Sequence, residues 1–240
     1  MTKNLRQKYL KEPNAGYIAR KQNLITGLLT IIRRCLPKNQ FARSVSVLAG
    51  GTAASQLLGL CAAPIVTRLF SPEDFGLLAV YGGLLGLFTV IASLRYELAI
   101  LLPEDDQEAA NIATLSLLIV VAISVLSILM ALLGHVSISR LLGVPILSHY
   151  FWLLPFGVLL VGIYQVFGFW ALRTKNFTAM SGTRLKQSLT SIIIQILGYK
   201  LGPVALLIGH AAGQGMGGFS LGKAAMRYSQ FRHVSLSGMV

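Results

Sequence analysis

Two long uncharged runs, separated by only four residues, constrain this chain more than any other feature. From Ser44 to Phe70 the one charge is Arg68, and from Phe75 to Leu94 there is none. Between them stands Ser71-Pro72-Glu73-Asp74. Ser71 suits a helix N-cap, Pro72 the first helical position, and Asp74 the reciprocal place in a capping box. Phe70 and Phe75 flank these residues as a hydrophobic staple. A bilayer crossing takes about 20 apolar residues, so two spans meeting at a tight acidic turn predict a transmembrane hairpin.

The rest of the chain agrees with a membrane environment. Of its 240 residues 54% are hydrophobic and 12% charged, with a mean hydropathy of +0.68; soluble domains carry about 25% charged residues. The net charge of +13 is distributed in short basic blocks between apolar runs. That is the pattern of membrane topology, and it excludes nucleic acid as the partner. Cys35 lies in a basic tail and Cys61 in the middle of a span, at no metal or redox spacing, so no bridge is expected.

Three domains follow. Residues 1–43 hold ten basic side chains and a short apolar stretch, Leu24 to Ile32, too short to span. They read as a cytoplasmic tail with an interfacial segment on anionic lipid, or as a leader without structure. Residues 44–222 read as a six-helix transmembrane bundle, an all-α polytopic fold, and 223–240 as a second cytoplasmic tail.

The helices are expected at about 44–70, 75–102, 111–133, 150–172, 180–199 and 203–222. Pro64 should kink the first. Gly82, Gly83 and Gly86 would give the second a small-residue packing face, as Gly209, Gly213 and Gly217 would the sixth. Trp152 and Trp170 stand near the ends of the fourth, where an aromatic belt would put them. The fifth must carry Arg184 and Lys186 in its first turns, because only Gln187 to Tyr199 is uncharged. Residues 134–148 are expected to form a loop.

Lysine and arginine fall unevenly on the two sides. Seventeen lie in the two tails and the loop after the fourth helix, against three opposite, Arg68, Arg140 and Lys200. The positive-inside rule then puts both termini in the cytoplasm, as six spans require.

Two stretches carry a resemblance. Thr67-Arg68-Leu69-Phe70-Ser71-Pro72-Glu73-Asp74-Phe75-Gly76, then Arg95-Tyr96-Glu97-Leu98-Ala99-Ile100 with Leu102-Pro103, are similar to the polysaccharide-biosynthesis and O-antigen flippase family, within the multidrug/oligosaccharidyl-lipid/polysaccharide exporter superfamily. Ile163-Tyr164-Gln165 and Phe169 to Arg173 also resemble that family's fourth helix. The resemblance covers about Phe41 to Leu221. It implies a protein of the bacterial inner membrane that flips polyprenyl-diphosphate-linked oligosaccharides for surface polysaccharide or O-antigen synthesis, with two lobes working by alternating access. The length of this chain matches the first lobe, an N-terminal half or fragment, so a second lobe or a second copy is the expected partner, besides substrate and membrane lipid.

Ionisable residues inside a membrane usually face a polar interior. Arg95 and Glu97 are candidates for the substrate path, Arg95 because a guanidinium suits phosphate oxygens; the alternative is an interfacial pair. Arg184 is a third, or else snorkels to the interface. Arg68 either meets substrate or anchors the interface beside Glu73 and Asp74. Gln56, Gln165, Gln195 and Gln214 would line a sugar path or bond helix to helix. Among the glutamines Gln165 is preferred because it lies in a family-like motif, with Gln56 next.

Gly213-Gln214-Gly215-Met216-Gly217-Gly218 has the form of a dinucleotide loop, but no Asp or Glu follows Glu108 to hold a ribose. The four histidines show no ligand spacing, and neither metal, cofactor nor catalysis is expected. A drug exporter of the same superfamily or a non-transporting assembly subunit are the competing readings. A membrane-embedded glycan enzyme would need a large soluble loop, which is missing.

Overall fold

The computed structural model describes residues 40–92 and 95–226. By internal contacts the chain divides into Met1–Ser46 and Val47–Val240, and the packing below belongs to the second unit. The expected interfacial segment and both far tails lie outside the described residues.

Six long helices occur among the described residues: α1 Gln40–Leu69, α2 Pro72–Ala92, α3 Asp106–Leu141, α4 Leu153–Arg173, α5 Phe177–Leu197 and α6 Pro203–Ala225. Short 3₁₀ turns at Tyr96–Leu101, Pro145–Tyr150 and Tyr199–Leu201 join them, and no strand occurs among the described residues. Among the described residues four segments are long and apolar enough to cross a membrane: Arg43–Leu69, Pro72–Val90, Asp106–His135 and Leu153–Arg173. The helices α5 and α6, 21 and 23 residues long, have the length for a bilayer at 1.5 Å per residue. Of the six, α5 is the most polar and α6 holds the most glycines.

The hairpin turn forms as its residues dictate. The Ser71 backbone N–H donates to Asp74 Oδ2 at 2.9 Å, and the Asp74 N–H donates to Ser71 Oγ at 3.3 Å. Phe70 is buried with Val66, Ala205 and Leu206, and Phe75 packs against the same cluster. Two opposing helix ends are thus satisfied and pinned to the start of α6.

Several boundaries differ from expectation. The second helix ends at Ala92 rather than near Leu102, because Arg95 takes a left-handed backbone (φ 57°) and the chain restarts as the 3₁₀ turn Tyr96–Leu101. At its start α3 gains Asp106 and Glu108, acids that favour a first helical turn. At its far end it continues through Gly134 to Leu141, where a loop was expected. Pro64 lies inside α1 without ending it.

Side-chain packing corrects two further readings. Trp170 is buried in the core with Ile100, Ala109, Ala113 and Val166, so only the exposed Trp152 of the two tryptophans is placed for an aromatic belt. A Cβ added at Gly82, Gly83 or Gly86 would meet nothing within 4 Å, so these glycines make no packing face. Of the two glycine sets expected to pack, only that of α6 does so. A Cβ at Gly209 or Gly213 would come within 3.0 Å of the Ser191 or Gln187 carbonyl oxygen of α5.

The glycine contacts also fix directions. Along α6, residues 209, 213 and 217 meet α5 residues in descending order, so those helices run antiparallel. Residues 215, 218 and 222 meet Leu160, Ile163–Tyr164 and Phe167 of α4 in ascending order, so α4 and α6 run parallel. On the other side of α4, buried hydroxyls join the helices: Tyr81 Oη donates to Leu153 O at 3.1 Å and Ser124 Oγ to Pro155 O at 2.9 Å.

Candidate functional site

Helix α1 touches the bundle near both ends of the stretch from residue 51 to 70. Gly51 sits against Ser181 at the start of α5, and Val66 and Phe70 join Ala205, Leu206 and Ile196 near its end. Between these contacts α1 stands away, leaving an open cleft of about 440 Å³.

Helical spacing decides what lines it. On α1 the facing stripe is Ser55, Gln56, Gly59, Ala63 and Thr67; on α5 it is Arg184, Gln187, Ser188, Ser191 and Gln195. His210, Gly213 and Gln214 of α6 form the floor. One contact closes the polar floor, Gln187 Nε2 donating to Gln214 Oε1 at 3.2 Å. Among the described residues no acidic side chain lines the cleft, and Arg184 is its one arginine or lysine. Among the described residues Arg184 makes no ion pair, since the salt bridge found there joins Arg173 to Asp106. The walls therefore offer amide and hydroxyl groups over most of their length, and one guanidinium at the end where α5 begins.

The structure brings Arg184, Gln56, Gln195 and Gln214 together in this cleft. The other candidates lie elsewhere. Arg68 and Arg95 are exposed and do not line it. Glu97, in the 3₁₀ turn after α2, is 2% exposed, and its Oε2 has no hydrogen-bond partner among the described residues. The Oε1 of Gln165, on α4, is buried and has no hydrogen-bond partner among the described residues. Sequence reading missed Gln187, Ser188, Ser191 and His210. The signal was present in α5, where 184, 187, 188, 191 and 195 repeat a polar stripe at three- and four-residue steps.

A second polar feature sits at the far end of α4. The Arg173 guanidinium donates to Asp106 Oδ1 through Nε and Nη2 at 3.1 and 2.9 Å, and to the Ile100, Pro103 and Glu104 carbonyls. It fastens the 3₁₀ turn and the loop before α3 to α4. Among the described residues no three His, Cys, Asp or Glu side chains are grouped to hold a metal ion.

An all-α bundle with four long apolar spans, carrying a polar cleft between its helices, is a multi-pass membrane protein. The model of the polysaccharide biosynthesis protein family matches residues 65–220, and the chain belongs to that family. No curated protein and no solved structure matches it.

Proposed function

We propose that the chain is a lobe of a flippase, carrying polyprenyl-diphosphate-linked oligosaccharides across the bacterial inner membrane without itself catalysing a covalent step. The observation that supports this most directly is the cleft. Its glutamines and serines suit sugar hydroxyls, and Arg184 suits the diphosphate, with no carboxylate in the lining to repel it. Family membership supplies the pathway, and the position of the charge supplies the polarity. With both termini in the cytoplasm, the start of α5 and hence Arg184 stand at the cytoplasmic mouth, where a lipid-linked substrate enters. Alternating access needs a second body rocking against the first. A second lobe or a second copy would close over the open side of the cleft, whose polar groups are costly against hydrocarbon.

The test is surface-polysaccharide production in a strain whose own copy of this gene is replaced by variants, with membrane levels matched. A hydrogen bond to a charged group contributes about 1.5–3 kcal/mol, so Arg184→Ala should cut production about tenfold or more, and Arg184→Lys should recover part of it. Full production by Arg184→Ala together with Gln187→Ala and Gln214→Ala would refute the cleft as the substrate path.

A further inference from the structure

On the face of the bundle formed by α4 and α6 lies an apolar groove of about 410 Å³, separate from the polar cleft. Ile163 and Phe167 form one side and Phe219 the other, over a floor at Gly218 and Gly222. The floor is glycine because the helices approach closely there. A Cβ at Gly218 would lie 3.1 Å from Ile163 Cγ2, and one at Gly222 would lie 2.9 Å from Phe167 Cε2. The groove is lined along α6 from Gly215 to Met226, and among the described residues its one polar side chain is Lys223, near the end of α6.

The dimensions and charge identify an occupant. The eleven residue steps from Gly215 to Met226 rise about 16 Å, close to half of the roughly 30 Å hydrocarbon core and therefore the depth of one leaflet. A slot one leaflet deep, open to the side and ending at an ammonium, matches one acyl chain with an anionic headgroup above it. Lys223 is exposed and makes no ion pair among the described residues, and Lys186 Nζ, held at 3.2 Å on Ser220 Oγ, adds a second cation at the same end of α6. We propose that this groove binds a resident anionic phospholipid, its acyl chain between α4 and α6 and its phosphate on Lys223. The lipid would fill the space the glycines leave and hold α6 against α4 from outside.

Photolabelling of the full chain in discs of zwitterionic lipid tests this, with phosphatidylglycerol or phosphatidylcholine carrying a photoreactive acyl chain as probe. Phosphatidylglycerol should label 160–167 and 215–226 several-fold more than the exposed Leu57 and Leu60 of α1. Lys223→Glu should lower that labelling about fivefold, as expected for one lysine at an anionic surface, while leaving the phosphatidylcholine signal unchanged. Phe219→Ala, at an exposed site, should lower both. Equal labelling by the two lipids, or even labelling of all exposed apolar faces, overturns the proposal. So does displacement of the probe by polyprenyl phosphate well below the concentration at which unlabelled phosphatidylglycerol displaces it, which would assign the groove to the carrier lipid. Labelling that appears only after removal of residues 227–240 would assign it to the chain's own tail.

Discussion

At the residue scale, Arg173 separates the worth of an ion pair from that of the hydrogen bonds around it. Its partner Asp106 is 56% exposed, whereas its own side chain is 12% exposed. An exposed pair contributes about 0.2–1 kcal/mol. The carbonyls of Ile100, in the 3₁₀ turn, and of Pro103 and Glu104, in the loop after it, are another matter, since all three accept from the guanidinium. Charged hydrogen bonds of this kind contribute about 1.5–3 kcal/mol. Arg173→Gln should therefore lower the melting temperature in detergent by several degrees and speed hydrogen exchange at residues 96–101. Asp106→Asn should change either measurement little. Equal effects would mean that the ion pair, not the carbonyl network, fastens the loop. Neither residue was singled out by sequence as a partner of the other, because 67 residues separate them and only the antiparallel packing of α3 on α4, with Ser124 on Pro155 and Val120 against Gly162, brings the end of α4 to the start of α3.

At the element scale, hydropathy located six helices but not their ends. Tyr96–Leu101 continues the apolar run of α2, and nothing in hydropathy registers that Arg95 adopts a positive φ. In α3, Gly134 and the polar Ser137 and Ser139 read as loop, yet one glycine costs a helix only about 1 kcal/mol. The glycines show the same limit. Spacing four in α6 and the cluster in α2 look alike as text, but only those in α6 have a helix against them. The two sets predict opposite responses. Gly213→Ala puts a Cβ 3.0 Å from the Gln187 carbonyl, backbone that cannot turn aside, and should destabilise by about 1–3 kcal/mol. Gly83→Ala meets open space and should be neutral or slightly stabilising. Thermal unfolding of the two variants in one detergent checks the order, and a larger loss for Gly83→Ala would contradict the packing of α5 on α6.

At the scale of the whole molecule, the cleft was half legible. Arg184 and three glutamines were found by asking which polar groups a membrane helix would not carry idly. The stripe connecting them needed α1 to stand off from α5, which is a matter of packing rather than sequence. The orientation rests on charge, and α3 offers the sharpest test of it. At 36 residues it is about 54 Å long, well beyond the roughly 30 Å core, so its two ends clear the bilayer. Asp105, exposed at its N-cap, lies at the end of the bundle that holds Arg173; Ser137, exposed in its last two turns, lies at the opposite end of α3 near Arg140. In a background with Cys35 and Cys61 changed to Ser, Ser137→Cys should react with an impermeant maleimide in intact cells. Asp105→Cys should react only after the membrane is opened. The reverse pattern would invert the topology and move Arg184 to the outer mouth of the cleft, where it could release substrate but not admit it. Reaction of both cysteines in intact cells would mean that α3 does not cross at all, and the six-span arrangement would fall with it.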